Sequence, residues 1–108
     1  MSERDLLSII RIKDEIRILD GIAEDFRLET FIKDERIQRT VSMSFISIGE
    51  NINRLSDEFK EKYAEIPWSQ IVGLRNIAAH GYWALDMEVV WKTLVHDILN
   101  LRAFFDVL

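Results

Sequence analysis

The sequence contains no cysteine, a single proline and only four glycines among its 108 residues. The absence of cysteine excludes disulfide bonds, thiol nucleophiles and cysteine-ligated zinc sites, and it fits a reducing compartment. No stretch without a charged residue is longer than ten residues, whereas a transmembrane helix needs ~20 apolar residues. The N-terminus carries acidic residues where a secretory signal would be basic. We therefore expect a cytoplasmic protein with no membrane segment, whose mature chain begins at Met1.

The sequence also lacks an excess of positive charge. Fourteen Lys and Arg residues stand against nineteen Asp and Glu residues, which gives a net charge of −5 and opposes a broad basic surface for nucleic acid. Any contact with nucleic acid is therefore expected to be local. Hydrophobic residues make up 48% of the chain, which is typical of a packed core, and the length predicts one domain over residues 1–108.

The apolar residues recur at spacings of three and four, which predicts an all-helical (all-α) protein. Ser2 is placed to cap a first helix, and Gly21 indicates fraying near the end of that helix. Ser56 is a second candidate N-cap, with a long helix predicted before it and a short helix after it. A further helix is predicted to begin at Pro67 and to end near Gly81.

The last helix is predicted to begin after Asp86, a candidate N-cap, and to reach the C-terminus. Helices that each carry one apolar stripe can bury those stripes only against one another, so the sequence predicts an up-and-down bundle of four to five helices. The last helix carries further apolar residues beyond its main stripe: Val95, Leu99 and Phe104. This wide apolar arc indicates a second buried surface, most simply that of a homodimer.

One segment combines the residue types that could carry out chemistry, since the chain has only two histidines and no Gly-rich phosphate loop. Arg75, Asn76, His80 and Tyr82 lie on or just after one predicted helix. Asn76 and His80 are four residues apart and share a helix face, where the amide could orient the imidazole. Arg75 projects into the apolar arc, where burial without an anion or a carboxylate partner would be costly.

Ordinary structural roles also explain these residues. An arginine near a helix C-terminus often interacts with the helix dipole, an Asn–His pair often lies on a solvated face, and a tyrosine after a glycine often only packs. Glu50 on the second helix could pair with a buried Arg75 or could be solvated. His96 is expected to be solvated, and its position on a different helix from His80 gives no support for a metal site.

The order Arg75-Asn76-x3-His80-x-Tyr82 resembles the signature of HepT-like proteins of the HEPN superfamily. These are the toxins of modules that pair a HEPN protein with a minimal nucleotidyltransferase. The resemblance covers essentially the whole chain, because three flanking stretches also resemble family motifs: Ile48-Gly49-Glu50-Asn51, Ile66-Pro67-Trp68 and the segment from Asp86 to Trp91. It implies a homodimeric HEPN-like bundle with the activity of a metal-independent endoribonuclease toxin, of a type VII-like toxin–antitoxin module, with no cofactor.

The resemblance also implies roles for the residues of the motif. Arg75 would hold or neutralise the scissile phosphate of the RNA substrate, His80 would transfer protons, and Asn76 would orient the site. Tyr82 would accept AMP from the cognate nucleotidyltransferase antitoxin, which would silence the toxin. Metal-free RNA cleavage needs two proton transfers, and a homodimer would supply a second His80 if the two motif helices faced each other. Small residues would permit that close approach: Ala78, Ala79 and Gly81.

A hypothesis of a different class also fits the sequence. The chain could be a non-catalytic helical module that binds nucleotides or docks onto the nucleotidyltransferase. Both hypotheses retain Arg75 as an anion contact, whereas only the enzyme requires His80 to titrate in a cleft.

Overall fold

A computed structural model describes residues 1–78 and 86–108, and within these ranges it contains helices and no strand. The chain begins with α1 (Glu3–Asp25), α2 (Leu28–Phe31), α3 (Glu35–Arg54), α4 (Asp57–Lys62) and α5 (Trp68–Val72). Residues 74–78 are helical again and are called α6. The last helix consists of α7 (Met87–Lys92), a π-helical turn (Thr93–Asp97) and α8 (Ile98–Phe105). The predicted all-helical class is confirmed.

The predicted N-caps are also present. The Ser2 hydroxyl accepts a hydrogen bond from the Asp5 backbone N–H at 3.0 Å, and the Ser56 hydroxyl accepts one from the Phe59 N–H at 3.2 Å. The side chain of Asp86 caps α7 in the same way. Each bond satisfies an N–H group that has no partner within the first helical turn. Local sequence therefore decides where these three helices begin.

Of the three long helices, α3 and the last helix run in the same direction, and α1 runs antiparallel to both. At one end of the bundle, Nε of Arg4 in α1 donates to the backbone carbonyl of Arg54, at the end of α3, at 2.7 Å. The last helix starts beside α2, where the rings of Trp91 and Phe31 are 5.3 Å apart. Further along it, Arg102 forms an ion pair of 3.0 Å with Asp20 of α1. The core between these helices contains large, fully buried side chains: Phe31, Phe45, Phe105, Ile12, Leu19, Ile48, Ile52, Leu94, Ile98, Val41 and Val90.

A buried carboxylate joins the start of α1 to the start of α4. Asp5 is only 3% exposed, and its two oxygens accept hydrogen bonds from the Ser56 backbone N–H at 2.8 Å and from the Ser56 hydroxyl at 2.7 Å. Burial by itself raises the pKa of Asp5, but these bonds, together with Ser2 and Arg4, hold it below its ordinary value. The ionised side chain thus links two chain segments that are far apart in sequence.

Several predicted details are wrong. Gly21 does not fray α1, since the helix continues to Asp25. The last helix ends at Phe105, short of Leu108, and includes a π-helical turn that no sequence pattern indicated. The described residues also form more, shorter helices than the four to five predicted, because short helices occupy connections such as that after Asp25. None of the described helices is both long and apolar enough to cross a bilayer.

Candidate functional site

The described part of the motif begins at a tight turn around Gly73. The Gly73 N–H donates to the Gln70 carbonyl at 3.1 Å, and the Gly73 carbonyl accepts from the N–H groups of Asn76 and Ile77 at 3.0 and 3.1 Å. A Cβ atom at residue 73 would lie 2.9 Å from the Gln70 carbonyl oxygen, so the turn requires glycine. The helix predicted to begin at Pro67 is therefore interrupted at Gly73, and its predicted end near Gly81 lies outside the described residues.

The described side chains of α6 divide between the core and the solvent. Leu74 and Ala78 are buried, with exposed fractions of 5% and 1%, while Arg75 and Asn76 are exposed. The prediction that Arg75 lies within the apolar arc is wrong, since 45% of its side chain is exposed. That prediction relied on the helical spacing of Arg75 from Trp68 and Ile71, whereas the buried face of this segment runs through Ile71, Leu74 and Ala78.

Arg75 forms an ion pair with Glu50 of α3. Nε of Arg75 lies 3.3 Å from Oε1 of Glu50, and the two side chains are 45% and 44% exposed. The structure thus decides between the two roles that the sequence left open for Glu50, although neither partner is fully buried. An ion pair at this exposure contributes only about 0.2–1 kcal/mol to stability. The main consequence of this ion pair is therefore that it places the Arg75 guanidinium beside Glu50.

Gly49 provides the surface over which the Arg75 side chain passes. A Cβ atom at residue 49 would overlap Cγ of Arg75 and would lie 2.9 Å from its Cδ and 3.3 Å from the carbonyl oxygen of Val72. The absence of a side chain on α3 therefore lets α5, the Gly73 turn and the Arg75 stem approach closely. Sequence reasoning missed this role. The available signal was a glycine inside a strongly periodic helix, where it costs about 1 kcal/mol relative to alanine.

The remaining motif residues are only partly covered by the structure. Asn76 is exposed next to Arg75 on α6. His80 and Tyr82 lie outside the described residues, as do Ala79 and Gly81, so the Asn76–His80 pair and the place of Tyr82 stay predictions. His96 is exposed on the last helix, as predicted. Within residues 1–78 and 86–108, no group of three His, Asp or Glu side chains is arranged to hold a metal ion.

An open groove of about 470 Å³, called here the α8 groove, separates α5 and α6 from α8. Its apolar lining comes mainly from Ile71, Leu74, Ile77, Leu101 and Phe104. Of the residues predicted to form a second apolar surface, Phe104 lines this groove, whereas Leu99 is 58% exposed but does not line it, so a second buried surface stays a prediction. Ala78 is buried inside the chain, and the prediction that it permits contact between two motif helices is wrong.

Comparison with known proteins gives consistent matches over most of the chain. Residues 12–108 match the model of the family described as "Ribonuclease HepT-like". The chain is 30% identical over 95 residues to "Probable ribonuclease HepT" of Thermococcus cleftensis, covering 88% of this chain and 86% of the relative. It is 29% identical over 103 residues to "Putative RNase MJ1380" of Methanocaldococcus jannaschii, covering 94% of each. No solved structure gives a significant match.

Proposed function

The chain belongs to the HepT-like ribonuclease family, and on this premise we propose that it is a metal-independent endoribonuclease, the toxin of a type VII-like toxin–antitoxin module. The observation that carries the proposal is the state of Arg75. Its ion pair with Glu50 engages Nε, and its terminal nitrogens form no hydrogen bond to any residue that the structure describes. These nitrogens carry four of the five guanidinium N–H groups and suit bidentate binding of a phosphate.

The proposed reaction uses the 2′-hydroxyl of RNA as the nucleophile. Its oxygen attacks the adjacent phosphorus and the bond to the 5′-oxygen breaks, which leaves a 2′,3′-cyclic phosphate and a free 5′-hydroxyl. One proton leaves the 2′-hydroxyl and one is delivered to the 5′-oxygen, and we assign these transfers to two copies of His80, one from each chain of a dimer. Arg75 stabilises the negative charge that develops on the phosphate oxygens. Asn76 orients the site.

Two transfers in one step need two groups, so the proposal includes a homodimer in which each chain contributes a His80. The open α8 groove, with its mainly apolar lining, supports this part, since a groove of this kind can hold a partner chain. In the proposed module, a minimal nucleotidyltransferase silences the toxin by transferring AMP to Tyr82. The added phosphate and adenosine would compete with RNA for Arg75 and block access to it.

The test is cleavage of a short RNA by the purified protein, with and without EDTA. We expect EDTA to have no effect, and a single 2′-deoxynucleotide at the cleavage position to prevent cleavage. Arg75→Ala and His80→Ala should each lower the rate by on the order of 10²-fold or more. Arg17→Ala is the matched control, because Arg17 is also an exposed arginine in an ion pair, at 2.8 Å from Asp14, but lies on α1.

Each part of the proposal can fail separately. Loss of activity with EDTA would contradict metal independence, and cleavage at a 2′-deoxynucleotide would contradict the 2′-hydroxyl mechanism. Full activity of Arg75→Ala would remove Arg75 from the site. A parent protein that binds nucleotides or a nucleotidyltransferase but cuts no RNA would favour the non-catalytic module instead.

A further inference from the structure

We propose that Gly49 and Glu50 of α3 position the Arg75 guanidinium before RNA binds, and that Glu50 is a positioning residue for the cleavage reaction. This inference rests on the proposed function, in which Arg75 binds the scissile phosphate. Both residues lie on α3, outside the motif of residues 75–82.

The first observation is that Arg75 is held at two points along its side chain. Near its base, Cγ and Cδ of Arg75 lie so close to Gly49 that a Cβ atom at residue 49 would overlap them, so the stem rests directly on the α3 backbone. Near its tip, Nε lies 3.3 Å from Oε1 of Glu50. Since Gly49 and Glu50 are adjacent in one helix, the two contacts share a rigid support. A long side chain with many rotamers is thereby restricted to a narrow set of them.

The second observation is which part of the guanidinium Glu50 engages. A carboxylate that paired with the two terminal nitrogens would occupy the edge that binds phosphate in a bidentate manner. Here the nearest approach is to Nε, and the terminal nitrogens form no hydrogen bond within the described part of the chain. Glu50 can therefore restrain Arg75 while leaving the phosphate-binding edge free. A charge-stabilising group that is already oriented needs no reorganisation during the reaction.

Positioning by an anion predicts opposite effects on binding and on turnover. The Glu50 carboxylate lies close to the place proposed for the RNA phosphate and repels it, so its removal should leave KM for RNA unchanged or lower it. Its removal also frees the guanidinium, so kcat should fall. General destabilisation of the fold would not lower both KM and kcat.

The variant that tests this is Glu50→Gln, which keeps the size of the side chain and removes its charge. We expect kcat to fall about tenfold, less than the loss from removing Arg75 itself, with KM unchanged or lower. In an Arg75→Ala background, Glu50→Gln should cause no further loss, because Glu50 acts through Arg75. Asp14→Asn is the matched control, since it removes an exposed carboxylate that pairs with Arg17, and it should change neither constant.

A second readout does not depend on RNA cleavage. The Nε–H signal of Arg75 in a ¹⁵N NMR spectrum can be assigned by its absence from Arg75→Lys, and its exchange with water should become faster in Glu50→Gln. An unchanged kcat together with an unchanged Nε–H signal would overturn the inference, and so would a higher kcat, which would make Glu50 only a competing anion. If the parent protein cuts no RNA, the proposed function fails, while the NMR comparison still decides whether Glu50 restrains Arg75.

Discussion

Replacement of Gly49 by alanine should separate the stability of this protein from its proposed activity. The added methyl group would overlap the Arg75 stem and would lie 3.3 Å from the carbonyl oxygen of Val72. The stem belongs to a side chain that is 45% exposed, so it can rotate away from α3 at little cost. The Val72 carbonyl needs to move by only a few tenths of an ångström. The guanidinium, in contrast, must leave its place beside Glu50.

The opposing energies of this substitution are similar in size. Alanine in the middle of α3 gains about 1 kcal/mol of helix propensity over glycine, while crowding in a packed region costs about 1–3 kcal/mol. Because the main overlap is with a partly exposed side chain that has other rotamers open to it, we take the lower end of that cost. The net change in the free energy of unfolding should then lie within about 1 kcal/mol of zero. A guanidinium displaced by about 1 Å should lower the cleavage rate by on the order of 10²-fold.

Urea denaturation and RNA cleavage, measured on the same preparation, test this expectation. Gly21→Ala is the matched control, because Gly21 also lies inside a helix but a Cβ atom there would meet nothing within 4 Å. This control should stabilise the protein by about 0.5–1 kcal/mol and leave cleavage unchanged. A Gly49→Ala protein that is folded and cleaves RNA at the parent rate would refute the argument that the path of Arg75 over α3 matters.

Four further outcomes are expected. Asp5→Asn should lower the free energy of unfolding by about 2 kcal/mol at pH 7. Because the pKa of Asp5 is held below its ordinary value of 3.8, this difference should persist above pH 3.8 and shrink as the pH falls through the lower folded-state pKa. Urea denaturation at several pH values would show this. Burial raises the pKa of Glu15, despite hydrogen bonds from Ser44 and Ser47 that lower it, so the ionised form of Glu15 opposes folding at neutral pH. In the same assay, Glu15→Gln should therefore stabilise the protein at neutral pH by less than about 1 kcal/mol, since the site is partly exposed, and the gain should diminish at acidic pH. Tyr82→Phe should keep at least part of the RNase activity and resist silencing by the nucleotidyltransferase with ATP, and an AMP-sized mass increment on this variant would show that Tyr82 is not the acceptor. Light scattering should give the mass of a dimer, whereas a strict monomer at tens of micromolar would contradict the shared site.

The sequence by itself determined the helical class, the positions of the caps and the order of the motif residues. Ser2, Ser56 and Asp86 cap helices through bonds to residues three positions further along. Apolar periodicity likewise depends on contacts within one helical turn or two. Such interactions are local, so a linear pattern of residue types is sufficient to predict them.

Only the tertiary structure decided the surroundings of Arg75. The turn at Gly73 arises where a glycine allows a carbonyl group to approach closely. Leu74 and Ala78 form the buried side of α6, which leaves Arg75 outside the predicted apolar arc. The Glu50 carboxylate reaches Arg75 only because α3 and α5 pack closely at Gly49. The sequence offered Glu50 as one of two alternatives, since an ion pair between distant residues depends on how two helices dock. That docking is decided by the burial of both apolar faces in a common core, and it has no signature within either helix alone.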